Sequence, residues 1–167
     1  MNEKRNNKFG FTLIELLMVV AIILILTSIG WLATNQARAR ARDSRRARDI
    51  NQLYKAMEMY YSGEQSYPLN TEGLISSCDD NWNDLLSVLK ESPEVIDPIN
   101  NTPYCYYYTA NNENGAKCNN MTVGNEIGFI IGFKAEGRAP DTFGQLTNIN
   151  NECFNTNDNC YCLADKL

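Results

Sequence analysis

The residue in this chain best placed to do chemistry is a carboxylate in apolar company. Glu15 is the sole charged side chain between Phe11 and Ala33. A carboxylate in such a run costs roughly a few kcal/mol, so it calls for a cationic partner or a functional use. Gly10 stands just before the run, preceded by Lys4, Arg5 and Lys8. A cut after that small residue would free an amine at Phe11 and leave the apolar segment on the mature chain, whereas an ordinary secretory signal is cut behind its apolar core. Six cysteines form the second reactive set: Cys78, Cys105, Cys118, Cys153, Cys160 and Cys162. Their even number reads as disulfides formed in an oxidising compartment. Zinc held by Cys153 and Cys160-Tyr161-Cys162 is the rival, but the chain has no histidine and no Cys-x-x-Cys knuckle. Six cysteines leave 15 pairings open. Asp158 and Asp165, among local asparagines, are hard oxygen ligands of the kind calcium takes, at spacings that match no fixed motif.

These groups need elements to hold them. Phe11 to Ala33 spans roughly 34 Å as a helix, enough to cross a bilayer. Nothing stops that helix before Gly63 and Pro68, so Phe11 to Ser62 reads as one helix of about 78 Å, apolar in its first half. In the second half Ile50, Leu53, Tyr54, Met57, Tyr60 and Tyr61 share one face. Asn83 to Lys90 reads as a short helix closed by Ser92-Pro93. Tyr104 to Thr109 and Glu126 to Ala135 read as strands. The second of these alternates Ile127, Phe129, Ile131 and Phe133 against Gly128, Ile130 and Gly132. A single-faced antiparallel sheet laid on the Ile50/Leu53/Met57 stripe follows, with residues 148–162 as an Asn- and Cys-rich loop. The organisation is a leader at 1–10, an apolar membrane-inserting helix half at 11–34, an amphipathic half at 35–63 and a globular domain at 64–167.

Charge separates along the same boundaries. The net charge is -5, but residues 35–63 carry seven basic and three acidic side chains, and residues 64–167 five basic and fifteen acidic. Arg38, Arg40, Arg42, Arg45, Arg46 and Arg48 read as a solvated helix surface open to acidic patches on other copies of the chain. Lipid headgroups are a second use and DNA a third, disfavoured by the acidic domain. Those arginines also favour a cytoplasmic C-terminus on the positive-inside rule. The cysteines and the leader point outward, and their signal is the more specific. With no histidine, no glycine-rich phosphate loop and no nucleophile beside a base, enzymatic activity is not expected.

The run Lys8-Phe9-Gly10-Phe11-Thr12-Leu13-Ile14-Glu15-Leu16-Leu17-Met18-Val19-Val20 resembles the type IV pilin and type II secretion pseudopilin family. Asp43 to Gln52, Ala56 to Tyr61, Tyr67 to Leu74 and Asp97 to Tyr104 continue the likeness, closest there to major pseudopilins. The resemblance implies an α+β pilin fold, with a long N-terminal helix on a small antiparallel sheet and a disulfide-bearing C-terminal region. It implies cleavage after Gly10 and methylation at Phe11 by a prepilin peptidase/N-methyltransferase. It also implies pairing of Glu15 with a neighbour's N-terminal amine in a helical filament. Further expected partners are membrane lipid before assembly and an inner-membrane assembly platform, with nucleic acid not expected. Major pseudopilins bind calcium in a C-terminal loop, which brings Asp158 and Asp165 into view; otherwise no cofactor is expected. Many members have a proline about twenty residues into the mature helix, where this chain has Leu32, with Gly30 the nearest weak point. The expected function is a structural subunit of a type IV pilus, a membrane precursor that becomes a surface filament. The alternatives are a secretion or DNA-uptake pseudopilin, or a monomeric single-span binding protein.

Overall fold

The computed structural model describes residues 11–68, 73–90, 95–110, 115–124, 127–147 and 159–166, with the backbone alone for 29–33, 127 and 166. Two compact units divide the chain, Met1–Arg38 and Ala39–Leu167. Helix α1, Leu13–Glu64, runs through both.

From Leu13 to Leu26 the helix exposes large apolar side chains all round, with Glu15 as the one charge among them. Its few hydroxyls are satisfied within the helix. Thr27 Oγ1 donates to the Ile23 carbonyl at 2.9 Å and Ser28 Oγ to the Ile25 carbonyl at 2.8 Å, so they place no unbonded polar group on the apolar surface.

In the second unit α1 becomes one-sided. Ala47, Ile50, Leu53, Ala56 and Met57 are buried at the spacing of one face. Complete burial of Ile50, Leu53 and Met57 stabilises by roughly 1.5–3 kcal/mol each. The helix passes through Gly63 and ends at Glu64, where Gln65 takes a left-handed φ of 54°.

Among the described residues seven strands form one antiparallel sheet. They are β1 Ile75–Ser76, β2 Tyr106–Thr109, β3 Lys117–Cys118, β4 Met121–Thr122, β5 Ile127–Lys134, β6 Gly144–Thr147 and β7 Cys160–Lys166, in the order β1-β2-β5-β7-β6-β3-β4. Helix α2, Asn81–Val88, buries Trp82, Leu85 and Leu86. Tyr106 sits opposite Phe133 and Tyr108 opposite Ile131 in the β2/β5 register. These residues join Phe129 and the Ile50/Leu53/Met57 stripe in one core, as the alternation of β5 predicts.

Two expectations need correction. The sheet is not single-faced: Tyr107, Ile130, Leu146, Cys105, Cys118, Cys160 and Cys162 form a second buried cluster. Strands β3, β4 and β6 fold over that side, and Gly132 allows it. A Cβ there would lie 2.6 Å from Leu146 Cδ2 and from the Tyr161 carbonyl. Nor do residues 160–162 belong to a loop. They open β7, which lies between β5 and β6, and pairing along β5 decides this where local periodicity gives no signal.

Candidate assembly site

The sequence that starts α1 also sets the geometry of Glu15. Thr12 and Glu15 form a reciprocal capping box. Glu15 N–H donates to Thr12 Oγ1 at 3.3 Å, while Glu15 Oε2 accepts the Thr12 N–H at 2.9 Å and the Thr12 hydroxyl at 2.8 Å. Two N–H groups that the first turn would leave orphaned are thereby bonded, and the carboxylate lies by the positive end of the helix dipole. The Thr12-x-x-Glu15 spacing is legible in sequence, and the capping reading adds to the expected assembly role. Gly10 lies outside the described residues. Phe11 precedes the cap and is 83% exposed.

From Phe11 to Leu26 every large apolar residue is among the exposed hydrophobics. An unbroken apolar surface of this kind marks an interaction site or a membrane contact. Among the described residues no helix is long and apolar enough to cross a membrane.

The arginine run is not one solvated surface. Arg46 is fully buried, with Nε 2.6 Å from Asp97 Oδ2, Nη2 3.0 Å from Asp97 Oδ1, Nη1 2.7 Å from Asp43 Oδ1 and Nη1 3.0 Å from Glu136 Oε1. Its guanidinium also lies 5.1 Å from the centre of the Tyr104 ring. Arg42 makes a second two-point contact with Glu136. The carboxylates are tied down in turn. Asp43 accepts the Glu136 and Gly137 N–H groups at 3.0 and 2.9 Å, and Asp97 Oδ1 accepts the Ile99 N–H at 2.8 Å. The cluster fastens α1 to the segment before β2 and to the turn after β5. Burial alone would lower the Arg46 pKa, but bonding and charge from Asp97, then Asp43 and Glu136, raise it above its ordinary value. The Arg42 hydrogen bond, against opposing burial, holds the Glu136 carboxyl below the usual range. Asp43 and Arg46 at i, i+3 were the available clue; Asp97 and Glu136 are too distant in sequence to be matched to them by spacing. Arg38, Arg40, Arg45 and Arg48 do remain exposed.

The cysteines resolve as disulfides where they are described. Cys78 bonds Cys105 and Cys118 bonds Cys162, at sequence separations of 27 and 44. Cys160 is disulfide-bonded too, and Cys153 lies outside the described residues. The first bond ties the residues after β1 to the entry of β2, and the second ties β3 to β7. Of the calcium candidates, Asp158 lies outside the described residues. Asp165, on β7, accepts hydrogen bonds from the hydroxyls of Tyr67 and Tyr54. Burial first, then the charges of Asp165 and Glu58, push the Tyr54 hydroxyl up to about 12.

Residues 5–31 match the prokaryotic N-terminal methylation motif, which covers Gly10, Phe11 and Glu15. Over 72 residues the chain is 46% identical to the type IV wide pilus major component PilA4 of Thermus thermophilus, an alignment covering 43% of this chain and 54% of the relative. The chain thus spans about half the length of the curated relative it matches. No solved structure matches it. The methylation motif thus lies over the helix cap, and over 72 residues the chain is similar to a type IV pilus component.

Proposed function

We propose that this chain is a structural subunit of a type IV pilus, without enzymatic activity, that assembles into a helical filament through the first half of α1. The observation that carries the proposal is the exposed, all-round apolar stretch of α1 from Leu13 to Leu26, with Glu15 as its lone charge. Such a surface is tolerable in lipid or against copies of itself, and a helix that is apolar all round belongs in one of those settings. The relative that matches is itself a major pilus component, which favours a pilus over a secretion pseudopilus.

In this reading the precursor spans the inner membrane once, with its Cys-bearing domain on the oxidising side. A prepilin peptidase cuts after Gly10 and methylates Phe11. Glu15 Oε2 is engaged by Thr12 within the chain, and Oε1 takes neither of those bonds. A neighbour's N-terminal amine would complete the shell of the carboxylate and relieve the cost of holding it in apolar surroundings. The membrane partner, the peptidase and the assembly platform all follow from this use of the helix.

The test is a Glu15→Ala variant expressed beside the peptidase. Processing at Gly10 should continue while filament yield in sheared fractions falls at least tenfold. Wild-type yield from the variant would overturn the assembly role of Glu15.

A further inference from the structure

In the second unit, charge is distributed in a way that folding of one chain does not use. Arg42 and Arg46 are neutralised by Glu136, Asp43 and Asp97, Arg45 by Asp49, and Arg138 by Asp141. Arg48 and Lys55 are in none of these pairs. They lie seven residues apart on the side of α1 facing away from the sheet, roughly 10 Å from each other along the axis. With Asn51, Gln52 and Met59 they line one shallow groove. Met59 is 75% exposed there, an apolar side chain on an otherwise polar face.

A second surface has the opposite sign. Asp79, Asp80 and Asp84 are exposed where the chain enters α2 and, with Leu74, line a recess. None of the three belongs to an ion pair among the described residues.

We infer that the Arg48/Lys55/Met59 face of α1 is a docking surface for a second copy of this chain, seated by that copy's Asp79/Asp80/Asp84 recess. The inference rests on the filament reading above and gives it a lateral contact outside the apolar helix half. Two arguments carry it. The surfaces are complementary in charge, and each offers an apolar side chain, exposed Met59 beside buried Ala56 on one and half-buried Leu74 on the other, among polar ones, the usual build of a specific interface. They also share no residue, so one can engage a neighbour on one side while the other engages a neighbour on the opposite side, which makes a heterologous contact. A heterologous contact leaves one free surface of each kind on every pair, and it propagates into a ring or an open filament where a self-complementary patch would stop at a dimer.

The test is a charge exchange in the full-length chain assembled with its native machinery. R48E/K55E and D80K/D84K should each lower filament yield at least tenfold, and the two variants coexpressed, or the four changes in one chain, should recover at least half of it. All four positions are exposed, and the melting temperature of each detergent-held variant reports whether it is folded. Normal yield from either reversed variant overturns the contact, and so does a combination that recovers nothing. Should R48E/K55E form filaments normally while losing retention of a short DNA duplex that wild-type filaments hold, the face serves a polyanion and the inference fails. A wild-type chain that is processed but never polymerises overturns the filament reading itself, whereas filaments indifferent to charge reversal overturn this contact alone.

Discussion

Replacing Arg46 by methionine removes a guanidinium that is fully buried and bonded to three carboxylates. The partners suffer unequally. Glu136 keeps Arg42, and Asp43 keeps the Glu136 and Gly137 N–H groups. Asp97, whose side chain is also fully buried, keeps only N–H donors from its own turn and loses its counter-charge. Breaking a buried pair from one side costs about 3–5 kcal/mol, and the retained bonds to Asp43 and Glu136 place this change near the lower end of that range. For a domain of this size the melting temperature should fall by about 10 °C. Removing the stranded charge as well should recover part of the loss, so R46M/D97N is expected to be less destabilised than the two single changes summed. Near-ultraviolet dichroism of the detergent-held chain during urea and thermal unfolding measures all three variants. A loss below about 1 kcal/mol for R46M would refute the claim that this cluster fastens the helix to the domain.

Acid should weaken the same cluster. The Arg42 hydrogen bond holds the folded-state pKa of Glu136 below its unfolded value, so the unfolded chain takes up its proton first, and stability present above the unfolded pKa is lost as pH falls through the lower folded one; urea midpoints between neutral pH and about pH 3 read this directly. At alkaline pH the sign is set by Tyr54, pushed up to about 12. The unfolded chain ionises near 10 and the folded one resists, so stability falls as pH rises past 10, and absorbance titration should show a late-titrating tyrosine that D165N brings earlier. Opening Cys118–Cys162 by a double serine replacement releases a loop with a sequence separation of 44, a loss of about 4 kcal/mol on loop entropy, to be read as a lower urea midpoint under oxidising conditions.

What the sequence made legible is local. The single charge of Glu15 and the 3.6-residue stripe of Ile50, Leu53 and Met57 each declare themselves within a few turns of chain, and the alternation of β5 selects Phe129, Ile131 and Phe133 for the helix side. What stayed hidden depends on distant partners. β7 has no polar/apolar alternation of its own because apolar residues on both its faces pack into the two core clusters, and the Cys-Tyr-Cys that opens it resembles a loop until it is paired with β5. The second cluster could not be foreseen without knowing that β3 and β6 fold over Ile130. Arg46 looked like its solvated neighbours because Asp97 and Glu136, 51 and 90 residues away, decide its burial.

The central claim, that this is a processed filament protomer, is tested most directly by the intact mass and N-terminal sequence of the mature protein. The account predicts a chain that begins at Phe11 and carries one added methyl group on its α-amine. A mature protein that retains Met1, or that begins beyond the apolar helix, would contradict it.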